Sequence, residues 1–198
     1  MQKSFARIYD YAMAPLEKRY INSWRKKLLI YAKGKVLEIG AGTGVNFSLY
    51  NKCEEVIAIE PNPYMIEKAK SRINLNGVPI KVMDSSAEKI PLPDDHFDTI
   101  VSMLVLCSVD NMDIALKELR RVLKPGGNLL VLEHVKMEKT IYARLQQILT
   151  PVWKRIADGC HLDRETESMI RKSGFRIVSK NTYLSSLVVS IVATIDTK

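Results

Sequence analysis

The sequence is poor in residues that build covalent or metal-held frameworks. Its three cysteines, Cys53, Cys107 and Cys160, are odd in number, widely spaced and free of any CxxC pair. That pattern excludes a disulfide framework and a zinc knuckle, and predicts reduced thiols. The three histidines, His96, His134 and His161, form no HExxH or comparable spacing, so no metal is expected, although Cys160 and His161 are adjacent. Long apolar runs are missing as well. None approaches the roughly 18 residues of a membrane-spanning helix, and the opening MQKSFARIYDYAMAP lacks the apolar core of a secretory signal, so a cytoplasmic location is expected. No repeat or low-complexity linker divides the 198 residues, of which 46% are hydrophobic, and a single domain is expected over 1–198. Acidic residues are scarce at one end. Between Lys3 and Lys35 nine basic residues face only Asp10 and Glu17, and most of the net charge of +8 lies there.

Within that basic segment Leu16, Tyr20, Trp24, Leu28 and Tyr31 recur at steps of three and four, which predicts a helix over Pro15–Tyr31 with one buried stripe and the basic residues on its other face. A basic run attracts phosphate on nucleic acid or on an anionic membrane surface. Aromatic residues do not interleave with it in the manner of a nucleic-acid site, and no nucleic acid is expected as a partner.

After Gly34 short β-rich runs alternate with helical patterns. Strands are predicted at Lys35–Ile39, Val56–Glu60, Ile80–Asp84, Asp98–Leu104 and Asn128–His134, with helices at Pro63–Ile73 and Met112–Leu123 between them. Such alternation implies an α/β fold, a parallel sheet with helices on both faces. Helical text follows at 141–157 and 164–172. Two last strands, Arg176–Tyr183 and Leu187–Ile195, are separated only by Leu184-Ser185-Ser186, too short for a parallel crossover, so the last strand is expected to return antiparallel.

The turn VLEIGAGTGVN, Val36–Asn46, carries glycines at Gly40, Gly42 and Gly44. The dinucleotide fingerprint GxGxxG needs its third glycine one position later, and no Gly-Lys-Ser/Thr follows to make a P-loop. The second strand ends in Glu60, where α/β folds place a carboxylate against ribose hydroxyls. Glu38 adds a negative charge near the turn, which suits a cationic ligand and opposes a pyrophosphate. Together these point to S-adenosylmethionine.

The motifs VLEIGAGTG, IAIEPN, SSAEKIPLPDDHFD and LKELRRVLKPGG, in register over about residues 34–135, resemble those of class I S-adenosylmethionine-dependent methyltransferases. The resemblance implies a Rossmann-like seven-stranded sheet with an antiparallel last strand. The resemblance covers the cofactor-binding core (34–135); outside it the chain reads as an N-terminal helical lid (1–33), favoured by the buried-type stripe, and a helical insertion with the C-terminal hairpin (136–198). The resemblance implies that Glu38 and the backbone of Gly40, Ala41, Gly42 and Gly44, with Asn46, meet the methionine part of the cofactor, and that Glu60 grips the ribose. Pro61, Asn62 and Met65 then lie along the adenosine, Ser85, Ser86 and Ala87 close over adenine, and Leu104 borders the cofactor. Ser86 occupies the usual aspartate position while Asp84 lies two residues earlier, and which of them meets the adenine amine stays open.

Three further stretches, MLVLCSVDN, EHV and LTPVWKRIADGCHLDRET, resemble alkyl-thiol methyltransferases. They imply a small-molecule acceptor, a thiol or hydrogen sulfide. The candidates for chemistry are His134, as proton acceptor or thiolate partner, and Asp158 to orient it. Cys107, Cys160 and Trp153 are candidate pocket residues, and Tyr9 and Tyr11 would wall a lid. Alternatives are methylation of a phospholipid amine or a quinone precursor at a membrane surface, with the basic N-terminus as a peripheral membrane contact, and a non-catalytic module that binds S-adenosylmethionine or RNA.

Overall fold

The computed structural model describes residues 2–73, 77–137, 140–157 and 159–196. Its strands are β1 (Gly34–Ile39), β2 (Cys53–Ile59), β3 (Ile80–Met83), β4 (Phe97–Met103), β5 (Leu123–His134), β6 (Arg176–Tyr183) and β7 (Val188–Thr194). They form one sheet in the order β3-β2-β1-β4-β5-β7-β6. Neighbours from β3 to β5 pair parallel, whereas β7 runs antiparallel to both β5 and β6. The antiparallel last strand expected from the short LSS turn is present. Leu184, Ser185 and Ser186 make that turn with φ of 51°, 55° and 69°, left-handed at three consecutive non-glycine residues.

The helices are α1 (Gln2–Leu16), α2 (Asn22–Leu29), α3 (Pro63–Lys70), α4 (Met112–Val122), α5 (Thr140–Ile156) and α6 (Thr166–Lys172). Central strands are buried on both sides, which is why β7, VVSIVAT, reads as a nearly unbroken apolar run. Strand order reverses between β1 and β4, so the carboxyl ends of these strands open a crevice there. Asn62 and Asn111 cap α3 and α4, their Oδ1 atoms accepting the amides of Tyr64 at 3.0 Å and Ile114 at 3.1 Å.

Two expectations change. The N-terminal helix starts at Gln2 rather than Pro15, and a π-helical turn, Glu17–Ile21, joins α1 to α2. The wider turn shifts the helical phase, so Ile21, Trp24, Leu28 and Leu29 are buried whereas Leu16 and Tyr31, the ends of the predicted stripe, are exposed. Arg25 is buried with them, against the expectation that the basic residues all face solvent. Strand β5 begins at Leu123, before the expected Asn128. A register shift between Phe97 and Thr99 on β4 takes up the intervening KPGG, and Lys124 pairs there with Asp98 at 2.7 Å.

Helix α5 is inverted in polarity. Gln146 and Thr150 are buried, whereas Ile141, Leu145, Ile148 and Val152 face outward. Gln146 fixes the helix by donating to the carbonyls of Val135 at 3.0 Å and Leu162 at 2.8 Å, and by accepting from the Met137 amide at 2.8 Å.

Candidate active site

The chain leaves β1 through Gly40, Gly42 and Gly44, whose φ angles of 56°, 56° and 78° lie in the left-handed region. A Cβ on Gly40 would approach the Val105 side chain to 2.5 Å, so no side chain fits there, whereas a Cβ on Gly42 would meet nothing nearer than the Gly40 carbonyl at 4.0 Å. The Gly42 amide donates to Glu60 Oε2 at 2.8 Å and the Asn62 amide to Glu60 Oε1 at 3.0 Å. Glu60 thereby holds the first turn to the end of β2. Asn62 uses Oδ1 as a helix cap, and among the described residues its buried Nδ2 finds no hydrogen-bond partner. Pro61 is exposed beside it, and Met65 is buried one turn into α3.

Glu38 lies beneath the turn, fully enclosed. Its oxygens accept from Asn46 Nδ2 and from the Tyr50 hydroxyl, each at 2.8 Å. Burial pushes its carboxyl up to about 7, against the lowering effect of those two bonds and of Arg25. Arg25 donates to Asn46 Oδ1 at 3.0 Å and pairs with Glu17 at 2.7 Å, so a polar chain runs from the π turn through Arg25 and Asn46 to Glu38.

Helix α1 lies across this edge. Asp10 accepts from Thr43 Oγ1 at 2.6 Å, and its other oxygen faces Arg72 at 3.1 Å and Lys68 at 3.5 Å on and just beyond α3. Burial raises the Tyr9 hydroxyl to about 12 in a surrounding that includes Arg25, Glu17 and Cys107. Tyr11 does not join it: it is 88% exposed, because residues two apart on a helix point to different sides. The expected shared wall of Tyr9 and Tyr11 is thus not formed.

Beyond β3 Ser86 is tied into its own turn, donating to Glu88 Oε2 at 2.8 Å and accepting from the Glu88 amide at 3.1 Å. Ser85 donates to the Lys89 carbonyl at 2.7 Å, and Ala87 is buried. Asp84 is exposed at the end of β3, in a groove shared with Pro63 and Val82. Leu104 follows β4 with φ 63°, an outlier for a branched side chain, and its amide donates to the Leu132 carbonyl at 2.7 Å.

Beyond the carboxyl ends of β4 and β5 three residues distant in sequence come together. Cys160 Sγ lies 3.4 Å from Cys107 Sγ and 3.9 Å from His134 Nδ1, and the His161 amide donates to the Cys107 carbonyl at 2.8 Å. The hydrogen bond with Cys107 holds the Cys160 thiol well below its ordinary range against the opposing effect of burial, with His134 and then Trp153 lowering it further. Cys107 moves the opposite way, raised by that same bond and by burial. Asp158 lies outside the described residues. Among the described residues no group of three or more His, Cys, Asp and Glu side chains is arranged to hold a metal.

Four residues escaped the sequence reading. Glu133, enclosed in β5, accepts from the amides of Val105 and Leu106 at 2.8 Å each, from that of Cys107 at 3.3 Å and from Ser102 Oγ at 3.1 Å. Arg164 clamps the insertion to the same loop through the carbonyls of Leu106, at 2.8 Å, and Val109. Arg25 and Asp10 complete the set. An acidic residue inside the apolar run LLVLEHV is the one signal that could have marked Glu133.

The carboxyl edge fits S-adenosylmethionine. It presents a turn whose second glycine faces open space, a carboxylate held where a ribose diol would sit, and an unpartnered buried amide donor on Asn62.

Residues 37–131 match the family model described as a methyltransferase domain. The chain is 37% identical to the thiol S-methyltransferase TMT1B of Rattus norvegicus over 84% of this chain and 75% of that protein. It is 30% identical to the ubiquinone/menaquinone biosynthesis C-methyltransferase UbiE of Azotobacter vinelandii, over 78% and 70% respectively. A crystal structure of a SAM-dependent methyltransferase from Thermotoga maritima, described as a possible histamine N-methyltransferase, superposes with a TM-score of 0.70. It is 25% identical and covers 98% of this chain and 99% of its own.

Proposed function

The chain belongs to the S-adenosylmethionine-dependent methyltransferases, and from that premise we propose that its acceptor is a small thiol or hydrogen sulfide. One observation carries the proposal: at the carboxyl end of β5 a sulfur atom, that of Cys160, already lies 3.9 Å from His134 Nδ1. The surroundings of His134 accommodate a thiol, and the TMT1B relative is named for that acceptor class.

S-adenosylmethionine supplies a methyl group on a cationic sulfur. The chain supplies placement. Glu60 accepts from the ribose hydroxyls while the Gly42 and Asn62 amides hold its carboxylate still, and Asn62 Nδ2 donates to the adenosine. Asp84 takes the adenine amine, because Ser86 spends its hydroxyl on Glu88. Helix α1 acts as the lid, latched by Asp10 to Thr43 on the glycine turn. His134 receives the acceptor proton, a small demand for a thiol with a pKa near about 8.5. Glu133 acts as a positioning residue through the amides at 105–107. The reduced state of the three cysteines suits a cytoplasmic setting.

A second reading, a lipid amine or quinone precursor taken from a membrane surface, has one observation in its favour, the outward apolar face of α5. Ile141 is 80% exposed and Ile148 72% exposed, with Arg144, Lys154 and Arg155 on the same helix. Among the described residues no helix is long and apolar enough to cross a membrane.

Incubation with methyl-labelled S-adenosylmethionine and separate panels of alkyl thiols, phosphatidylethanolamine vesicles and quinols tests both. Label in the thiols is expected. Label confined to lipid or quinol overturns the thiol reading, and tight cofactor binding without turnover on any panel establishes the non-catalytic module instead.

A further inference from the structure

Cys107 and Cys160 stand 53 positions apart in sequence, yet their sulfur atoms are 3.4 Å apart. Two features of the surrounding backbone hold them there. The His161 amide bonds to the Cys107 carbonyl, and Arg164 fastens the segment after Cys160 to the carbonyls of Leu106 and Val109. Glu133 fixes Cys107 from the other side through its amide. The sulfurs thus need to close by only about 1.4 Å to reach a disulfide bond length of about 2.05 Å.

We infer that Cys107 and Cys160 form a redox-modification site, closing to a reversible disulfide when a hydroperoxide oxidises Cys160. The two thiols divide the work. Cys160 is the more exposed, 8% against 2%, and is the one that touches His134. It also yields its proton first, with Cys107 staying protonated as the donor to it.

The Cys160 thiolate attacks one oxygen of the hydroperoxide, the O–O bond breaks, and an S–OH group forms while the alcohol or water leaves with the proton released by Cys160. The Cys107 thiol then attacks that sulfur. The S–S bond forms, the S–O bond breaks, and hydroxide departs with the Cys107 proton as water. Two thiols are oxidised by two electrons in all, and the peroxide is reduced by the same two. The bond staples the 159–165 segment to the loop after β4. None of this depends on which acceptor is methylated. Cys53 lies elsewhere, half-buried on β2, with its thiol raised by burial, so it reacts more slowly than Cys160.

The test is exposure of the full-length protein to a small excess of hydrogen peroxide, followed by intact-mass measurement and peptide mapping without reduction. A loss of two hydrogens, a linked peptide pair containing Cys107 and Cys160, and complete reversal by dithiothreitol are expected. Cys53→Ser should behave as the parent protein, and Cys107→Ser should accumulate a sulfenic acid on Cys160 that dimedone traps. Modification of Cys160 to the sulfinic acid with Cys107 free, or oxidation confined to Cys53, overturns the assignment. The peptide map of the unmutated protein decides the matter even if a cysteine variant fails to fold.

Discussion

The amide of Gly42 donates to Glu60 Oε2 at 2.8 Å, tying the turn after β1 to the end of β2. One carboxylate thus shapes the glycine turn and, in the proposed function, holds the ribose. Glu60→Ala removes both roles and should weaken S-adenosylhomocysteine binding by about 30-fold, near 2 kcal/mol for charge-assisted hydrogen bonds. Titration calorimetry measures this. Glu60→Gln, which keeps one acceptor oxygen, should lose less, and unchanged affinity in both variants would remove Glu60 from the cofactor site.

Asp10 latches α1 to Thr43, and its ion pairs with Lys68 and Arg72 are partly exposed. Such contacts are worth roughly 1 kcal/mol at most. Asp10→Ala should therefore leave the melting temperature almost unchanged while speeding cofactor release about fivefold, the rate equivalent of about 1 kcal/mol. Stopped-flow release of S-adenosylhomocysteine reads the rate. An unaltered release rate would mean that α1 is not the lid.

Glu38 makes stability depend on pH. Its carboxyl is raised from 4.5 to about 7 in the folded chain, first by burial. The folded state therefore binds more protons than the unfolded state between those values. The associated stability is complete below about 4.5 and is lost as pH rises through about 7, an effect of order 3 kcal/mol. Urea unfolding of the cofactor-free protein at pH 5 and pH 8, below and above the folded value of about 7, should show most of that loss, and Glu38→Gln should abolish it. Parallel pH curves for the two proteins would contradict the buried-carboxylate account.

Glu133 serves the loop after β4, where three successive amides converge on its carboxylate. Glu133→Ala leaves those donors without an acceptor and should cost about 3 kcal/mol, one for each amide. Glu133→Gln should cost less and lower methyl transfer through the displaced loop. A urea midpoint that does not move on Glu133→Ala would show that the amides find other acceptors.

Much of this was legible before folding, for reasons that differ by residue. The central strands β2 and β5 carry the apolar runs VIAI and LLVL because their middle residues are mostly buried, and the carboxyl ends that lead to Glu60 and carry His134 follow directly. The short LSS turn left the hairpin only one direction to take. The π turn at Glu17–Ile21 was hidden because no residue type marks it, and the phase it shifts is what buries Arg25 and exposes Leu16. Cys107 and Cys160 are both candidate pocket residues in the sequence, but the contact between their sulfurs is not legible there, since it depends on how Arg164 and Gln146 seat the insertion. Helix α5 was recognisable as a helix, but its apolar face reads as core in a sequence and turns out to face outward.

A single-turnover reaction with trideuteromethyl S-adenosylmethionine and an alkyl thiol, analysed by mass spectrometry, tests the central claim most directly. The account predicts that the heavy methyl appears on sulfur as the alkyl methyl sulfide, in stoichiometric amount with S-adenosylhomocysteine, and that His134→Ala slows its formation. Cofactor consumed with no methyl sulfide formed, or the heavy methyl recovered only on a phospholipid nitrogen or a quinol carbon when these are supplied in competition, would contradict it.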